Sequence, residues 1–275
     1  MKTSIDSPRL YLWENRTMFI GTYKAPIIVS TGASTLMLSL DKPIRFKTQE
    51  MNVSRECMSL LIPAGTSVIF DLGEALIINC TLDPSGNDFN RIAQMMHKSE
   101  GRSFYQLKDE KKLIKNCQRT NALPDDTTSL KMMLQLLHLD PLIKNAIISP
   151  ITHDLDPRAK KIIEVIQATI NENLSLSELA TEANMSPSRL VQIFKQQTGL
   201  PVRRYRLWYR LYTAAYAVGQ GKNLTEAAAF AGFTDSSHFN RTVRSMLNIK
   251  PSYIFSCINP VRILKQEHTP QKQSA

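Results

Sequence analysis

An internal repeat in the C-terminal half of the chain constrains the fold more than any other feature. Ser175–Glu178 reads SLSE, and 48 residues later Asn223–Glu226 reads NLTE. Each segment has the pattern of a capping box, in which the first side chain accepts from a backbone N–H and the glutamate reaches back. The small residues that follow also match, with Ala180 and Ala183 in the first copy and Ala228 and Ala231 in the second. The repeat predicts two copies of one helical unit.

A tight turn and a second helix follow each capping box. Asn184 and Gly232 occupy the turn, where a left-handed backbone is required. Ser186-Pro187 then begins a helix that Gly199 ends. Beyond the turn the offset of the repeat rises to 49, because the second turn is one residue longer. Two short helices joined by a tight turn are the helix-turn-helix pattern, so the chain is predicted to contain two such units.

A long helix is predicted between the two units, from Val202 to Val218. Its seventeen residues span roughly 26 Å at about 1.5 Å per residue. Such a connection can place two recognition helices about 34 Å apart, which is one turn of B-DNA. The arrangement fits two successive major grooves on one face of a duplex.

The positive charge of the chain is concentrated in the same half. Residues 1–155 contain 18 basic and 16 acidic residues, whereas residues 156–275 contain 16 and 8, so that the net charges are +2 and +8. This excess predicts an anionic partner for the C-terminal part. An apolar content of 43% excludes a wholly disordered or collagen-like chain.

The first 85 residues contain short β-rich runs separated by Gly and Pro. Seven runs predict an antiparallel barrel or sandwich, and they lie at residues 18–20, 27–29, 35–38, 44–46, 59–62, 67–70 and 75–78. After residue 86 apolar residues recur at intervals of three and four, which predicts helices. One such set is Ile92, Met95 and Met96, and another is Met132, Met133, Leu136 and Leu137. The second set suggests a core or a dimer seam.

A polar break at Thr152–Pro157 is interpreted as a linker. The chain is therefore predicted to be α+β, with residues 1–153 forming an antiparallel β-barrel plus helices. Residues 154–265 are predicted to form an all-α domain with two helix-turn-helix units joined by a long helix. Residues 266–275 form a polar tail.

No sequence segment indicates a membrane span or a signal peptide, which predicts a cytoplasmic protein. Cys57, Cys80, Cys117 and Cys257 have neither a CxxC pattern nor histidines at zinc-finger spacing. We expect them to be reduced and buried. His97, His138 and His153 share no ligand spacing, so no metal site is expected.

The second unit resembles the AraC/XylS family of bacterial transcription regulators. Gly232–Arg241 reads GFTDSSHFNR, which is similar to the family's G-F-x-D-x-S-H-F-x-R, and Asn248–Tyr253 stands where the family has a G-x-S-P or G-x-x-P stop. The resemblance covers Pro157 to about Arg262. Val243 and Asn248 replace the usual Phe and Gly. A weaker resemblance to the family's cupin-like sensing domains rests on Ser59–Thr66, and the H-x-H metal motif of enzymatic cupins is absent.

The resemblance implies a sequence-specific, effector-responsive activator of transcription that is not an enzyme and needs no cofactor. Its implied partners are double-stranded DNA, RNA polymerase, a small-molecule effector and a second copy of the chain, with no membrane. One alternative is that the N-terminal half only dimerises or binds a protein partner. A less favoured one is an enzyme fused to a DNA-binding domain, such as a DNA-repair alkyl transferase, with Cys57 beside Arg55 and Glu56 as its nucleophile.

Helical periodicity divides each recognition helix into two faces. Leu190, Ile193 and Phe194 are predicted to face inward in the first helix, and Phe239 and Val243 in the second. The residues left to face bases are Ser188, Arg189, Gln192, Gln196, Ser236, Ser237, His238, Asn240 and Arg241. Gln192 suits adenine and Arg241 suits guanine. His238 beside Asp235 either completes the helix cap or contacts DNA.

Further basic residues are predicted to contact phosphates, which position a protein on DNA without reading its sequence. They are Lys195, Arg203, Arg206, Arg210 and Arg244. The alternative for each is a solvated surface position.

Overall fold

Two β-sheets form the N-terminal part of the protein. The computed structural model describes residues 8–23, 27–30, 32–84, 87–121, 129, 155–247 and 261–264. Its strands are β1 (Arg9–Trp13), β2 (Arg16–Thr22), β3 (Ile27–Ser30), β4 (Thr35–Ser39), β5 (Ile44–Thr48), β6 (Arg55–Cys57), β7 (Ser59–Ile62), β8 (Ser67–Asp71), β9 (Leu76–Thr81), β10 (Met96–Glu100), β11 (Ser103–Leu107) and β12 (Val261–Ile263). One sheet has the order β10-β11-β7-β4-β9-β2-β1-β12, and the other has the order β3-β8-β5-β6.

All seven β-rich runs coincide with strands. Successive side chains of a strand point to opposite faces of its sheet, so a strand can contribute to both faces. One face of the large sheet packs against the small sheet, where Phe46, Leu60 and Ile77 are buried in a shared core. The other face packs with α1 (Asp88–Ala93) and α2 (Glu110–Asn121). Burial of apolar area on both faces is the main stabilisation of this part of the chain.

The predicted helix through Met95 and Met96 is wrong beyond Ala93. Met96 begins β10, which pairs with β11 in the register Met96↔Leu107. Gly101 allows this turn because it adopts a left-handed backbone, with φ of 57°. The helical set Met132 to Leu137, the domain boundary at residue 153 and the tail lie outside the described residues.

Six helices lie in the described residues of the C-terminal part. They are α3 (Pro157–Ala168), α4 (Leu176–Glu182), α5 (Pro187–Thr198), α6 (Val202–Gly219), α7 (Leu224–Phe230) and α8 (Ser236–Leu247). Pro157 stands in the first turn of α3, where its missing N–H costs nothing, and the side chain of Asp156 caps that helix. The long connecting helix predicted from Val202 is confirmed as α6.

The prediction that residues 154–265 are wholly helical is wrong at β12. This strand pairs in parallel with β1, and Leu10 and Leu12 lie opposite Val261 and Ile263. Val261 and Ile263 are β-branched and suit a strand, and β1 offers an edge with which they can pair. The protein is therefore a mixed α+β fold in which the last described segment returns to the N-terminal sheet.

The two parts of the chain share buried contacts. Leu12, Ala215 and Val261 form one apolar cluster across the β1–β12 pair and α6. The hydroxyl of Tyr212 accepts a hydrogen bond of 3.2 Å from the backbone N–H of Asn15. None of the helices in the described residues is sufficiently long and apolar to cross a bilayer.

Candidate nucleic-acid interface

The first helix-turn-helix unit comprises α4, the turn at Asn184 and α5. The Ser175 hydroxyl accepts from the Glu178 N–H at 3.2 Å, and the Glu178 carboxylate accepts from the Ser175 N–H at 2.6 Å, which confirms the capping box. Asn184 is left-handed, with φ of 51°. Ser186 caps α5 by accepting from the Arg189 N–H at 3.3 Å. These local bonds set where each helix begins.

The second unit comprises α7, the turn at Gly232 and α8. The Asn223 and Glu226 side chains form the second predicted capping box. Gly232 has a φ of 79°, and a Cβ atom there would lie 2.7 Å from the backbone of Asn171 and Ile170. Only glycine fits this turn, because both the backbone conformation and the neighbouring chain exclude a side chain.

Each recognition helix is held by a buried apolar face. All five residues predicted to face inward are buried, namely Leu190, Ile193, Phe194, Phe239 and Val243. Phe194 meets Tyr205 of α6 edge-on, with ring centroids 5.4 Å apart. Because the apolar side of each helix is fixed in this way, the opposite side is presented to solvent.

The outer face of α5 is polar and exposed. It contains Ser188, Arg189, Gln192, Lys195 and Gln196, all of them exposed. The Arg189 guanidinium donates to the Gln192 side-chain oxygen at 2.9 Å. This bond orients the two side chains relative to each other.

The outer face of α8 carries two basic residues, as that of α5 does. Ser236, Ser237, Arg241 and Arg244 are exposed, and His238 and Asn240 are half-buried. The Asp235 carboxylate caps this helix by accepting from the His238 N–H at 2.7 Å. This bond, together with one from Thr234, lowers the pKa of Asp235. The acidic cap therefore stays charged at neutral pH.

His238 contributes to the start of α8. Its ring packs edge-on against Phe233, with centroids 5.3 Å apart, and its Nδ1 lies 3.4 Å from the Thr234 hydroxyl. These contacts support the cap reading of His238. Contact with DNA stays a prediction for this residue.

The three arginines that were expected to bind phosphate from α6 have different surroundings. Arg203 is exposed and Arg206 is half-buried, and burial lowers the pKa of Arg206. Arg210 is buried, with 3% of its surface exposed. The basic side chains of α6, the helix that joins the two units, therefore differ in their exposure to solvent.

The expected phosphate contact of Arg210 is wrong. Its Nε donates to the carbonyl of Ile170 at 3.1 Å, and its Nη2 donates to the carbonyl of Glu172 at 3.2 Å and to the side-chain oxygen of Asn173 at 2.8 Å. The turn at Gly232 packs on the same segment. Arg210 thus joins the segment between α3 and α4 to the helix that carries the second unit.

Comparison with known proteins identifies this arrangement. A family model described as a helix-turn-helix domain matches residues 179–255. The C-terminal region is an AraC-type helix-turn-helix domain. The model matches little more than a quarter of the chain, and it covers most of both units of the AraC-type domain.

Curated relatives match about a third of the chain. The HTH-type transcriptional regulator GbdR of Pseudomonas aeruginosa is 29% identical over 106 residues, which are 37% of this chain and 29% of GbdR. The transcriptional activator RhrA of Rhizobium meliloti is 33% identical over 93 residues, which are 33% of this chain and 29% of RhrA. The chain thus spans less than a third of the length of each of these two relatives.

A solved structure is similar over both parts of the chain. ToxT of Vibrio cholerae strain SCE256, as the apo form of a variant, has a TM-score of 0.63 and 13% identity, and the match covers 89% of this chain and 98% of ToxT. At this identity the likeness concerns the fold. It extends from the N-terminal sheets through the AraC-type domain.

Sequence reasoning missed an exposed apolar residue on the first recognition helix. Val191 of α5 is 40% exposed and follows the inward Leu190. The repeat offers the signal that could have found it, because its counterpart at an offset of 49 is Asn240, which was assigned to the base-facing set.

The cysteines do not form a reactive site in the described residues. Cys57, Cys80 and Cys117 are buried and unpaired, as expected. Burial raises the pKa of Cys57 to about 12, so its thiol is protonated at neutral pH. The environment of Cys57 therefore opposes the alkyl-transferase alternative. Cys257 lies outside the described residues.

Proposed function

We propose that the protein is a sequence-specific DNA-binding transcription regulator, an activator that responds to an effector. The observation that carries the proposal is the presence of two capped helix-turn-helix units, each with an exposed polar recognition face, in the region that matches the helix-turn-helix family model. An α-helix fits the major groove of B-DNA. The net charge of +8 in residues 156–275 supplies the attraction for the phosphate backbone.

In this proposal α5 and α8 enter successive major grooves. Gln192 contacts adenine and Arg241 contacts guanine, while the other exposed polar residues on the two helices contribute to base reading. Lys195, Arg203, Arg206 and Arg244 contact phosphates. Arg210 instead keeps the segment before α4 attached to α6, which limits how far the two recognition helices can move apart.

The N-terminal part is proposed to be a cupin-like barrel that binds an effector and dimerises, with the domain boundary near residue 153. A ToxT structure with 13% identity and a TM-score of 0.59, covering 89% of this chain and 97% of ToxT, contains bound unsaturated fatty acid. That likeness of fold supports a small-molecule effector without specifying its chemistry. RNA polymerase is the proposed partner at the promoter, and the cytoplasm is the proposed location.

The proposal is tested by selecting bound sequences from a random DNA library with the full chain. We expect one enriched sequence with two half-sites about one helical turn apart. Arg241→Ala should weaken binding to that sequence roughly tenfold and abolish the preference at one base pair. Arg203→Ala should weaken binding to every sequence and reduce the slope of affinity against salt by about one ion.

Arg45→Ala is the matched control, because Arg45 is exposed on the small sheet and pairs there with Glu56. It should leave both affinity and salt slope unchanged. Equal losses on all sequences for Arg241→Ala would contradict its role as a base reader. Failure to enrich any sequence would contradict the proposal as a whole.

A further inference from the structure

Val191 is an apolar side chain at the edge of a polar recognition face. On the outer side of α5, Ser188 precedes Val191 by about one helical turn, Gln192 is adjacent to it, and Lys195 follows it by about one turn. Of the Val191 surface, 40% is exposed. The described residues of the N-terminal part therefore leave this side chain uncovered.

The internal repeat indicates which flank of α5 carries Val191. Its counterpart Asn240 lies on the flank of α8 that also carries Ser237 and Arg244. Leu190 and Phe194 pack inward from α5 as Phe239 and Val243 pack inward from α8, so the two helices present equivalent flanks. Successive positions on a helix point about 100° apart, so a helix that enters the major groove with Gln192 foremost carries Val191 on its flank, facing the side of the groove.

We infer that Val191 contacts the 5-methyl group of a thymine in the half-site bound by the first unit. The inference rests on the proposed function and adds a specificity determinant to it. In the major groove, thymine is the base that presents a methyl group, and apolar side chains read that methyl by contact. Val191 can form no hydrogen bond through its side chain, so its discrimination comes from apolar area removed from water.

Substituting uracil for thymine tests this contact, because uracil lacks only the methyl group. Each thymine of the selected operator is replaced singly, and dissociation constants are measured at one salt concentration for the wild type and Val191→Ala. One replacement in the first half-site should weaken the wild type about threefold to fivefold, which is the effect of losing one buried methyl. Val191→Ala should lose less than about twofold from the same replacement, since the partner of the methyl has already been removed.

Val53→Ala is the matched control, because Val53 is an exposed valine of the N-terminal part, 53% exposed. It should respond to each uracil as the wild type does. Val191→Ala should remain folded, since alanine favours helix and the site is exposed, and a thermal melt checks this.

Two results would overturn the inference while leaving the proposed function intact. One is an equal loss for wild type and Val191→Ala at every thymine, and the other is a wild type that is insensitive to every uracil. If no operator is selected, the proposed function itself is contradicted. The inference then fails as well, and this outcome differs from the two results above.

Discussion

The two helix-turn-helix units differ most in what completes their cores. The core of the first unit includes Tyr205 and Trp208 of α6 and extends to Ala33 and Ala64 of the N-terminal part. The main core cluster of the second unit comprises residues of its own helices, of its turn and of α6, including Ala214 and Phe239, while Met246 of α8 joins the core of the first unit. The two copies of the repeat therefore pack against different neighbours.

This difference indicates where a signal from the N-terminal part would arrive. Gly65 and Ala64 lie against the backbone of Gly199 at the end of α5, so the first recognition helix ends on the N-terminal domain. The second unit meets that part of the chain through α8, which packs against β3 and places the Met246 side chain against Gly32. A shift of the loop around Ala64 would thus act on the end of α5, whereas a shift of β3 or Gly32 would act on α8.

The largest expected effect on stability is that of replacing Arg210, which joins the segment before α4 to α6. Arg210→Ala leaves two backbone carbonyls and the Asn173 side chain without their buried donor. Hydrogen bonds from a charged group contribute about 1.5–3 kcal/mol, so we expect a loss of about 3 kcal/mol in the free energy of unfolding, measured in urea.

Arg210→Lys should recover only part of this loss, because an ammonium cannot reproduce the planar guanidinium geometry. Arg203→Ala on the same helix should leave stability within about 0.5 kcal/mol. If Arg210→Ala were as stable as Arg203→Ala, the two units would not be joined through this side chain.

A second expected effect separates the two turns. Gly232→Ala should destabilise by roughly 2 kcal/mol or more, since a methyl group at a left-handed residue would meet the backbone of Asn171 and Ile170. Asn184→Gly should change stability by less than about 0.5 kcal/mol, because glycine adopts the same turn without strain. Thermal or urea unfolding of both variants gives the comparison, and equal losses would show that the turns are equivalent.

The smallest expected effect distinguishes the caps of α5 and α8 by their response to acid. Asp235 has a pKa below its ordinary value of 3.8, so its cap stabilises fully above that value and is lost as the pH falls through the lowered folded-state pKa. The Ser186 hydroxyl of the first unit does not titrate in this range. Between pH 5 and 2.5, the backbone amide signal of His238 should shift in NMR spectra and that of Arg189 should not.

Asp235→Asn should remove the acid response of the His238 amide, since an amide oxygen still accepts the bond and does not titrate. Parallel shifts of both amides in the unmodified protein would instead indicate a general loss of structure.

Features that depend on near neighbours were predictable from the sequence. Both capping boxes involve residues three positions apart, and the inward faces of α5 and α8 follow from helical periodicity. Strands β2 to β5 and β7 to β9 contain β-rich runs that can be recognised, whereas β1, β6, β10 and β11 were not predicted. In β10 the polar His97, Lys98 and Ser99 hide the strand character.

Features that depend on distant partners were not predictable. Arg210 has a helical-wheel position similar to that of a surface arginine, and its acceptors lie 37 to 40 residues earlier in the chain. The strand at Val261–Ile263 is three residues long, and its partner β1 begins at Arg9. In both cases the structure depends on a partner that is distant in the sequence and comes close only when the chain folds.

The parallel pairing of β12 with β1 has a consequence for dissecting this protein. β12 covers an edge of the eight-stranded sheet, and Tyr11 and Leu12 of β1 are fully buried. A fragment cut at the polar break before α3 would expose the backbone donors and acceptors of β1, and exposed strand edges pair with other chains. Expression of the N-terminal domain for ligand studies should therefore supply a strand equivalent to residues 261–263, because otherwise the fragment is expected to self-associate.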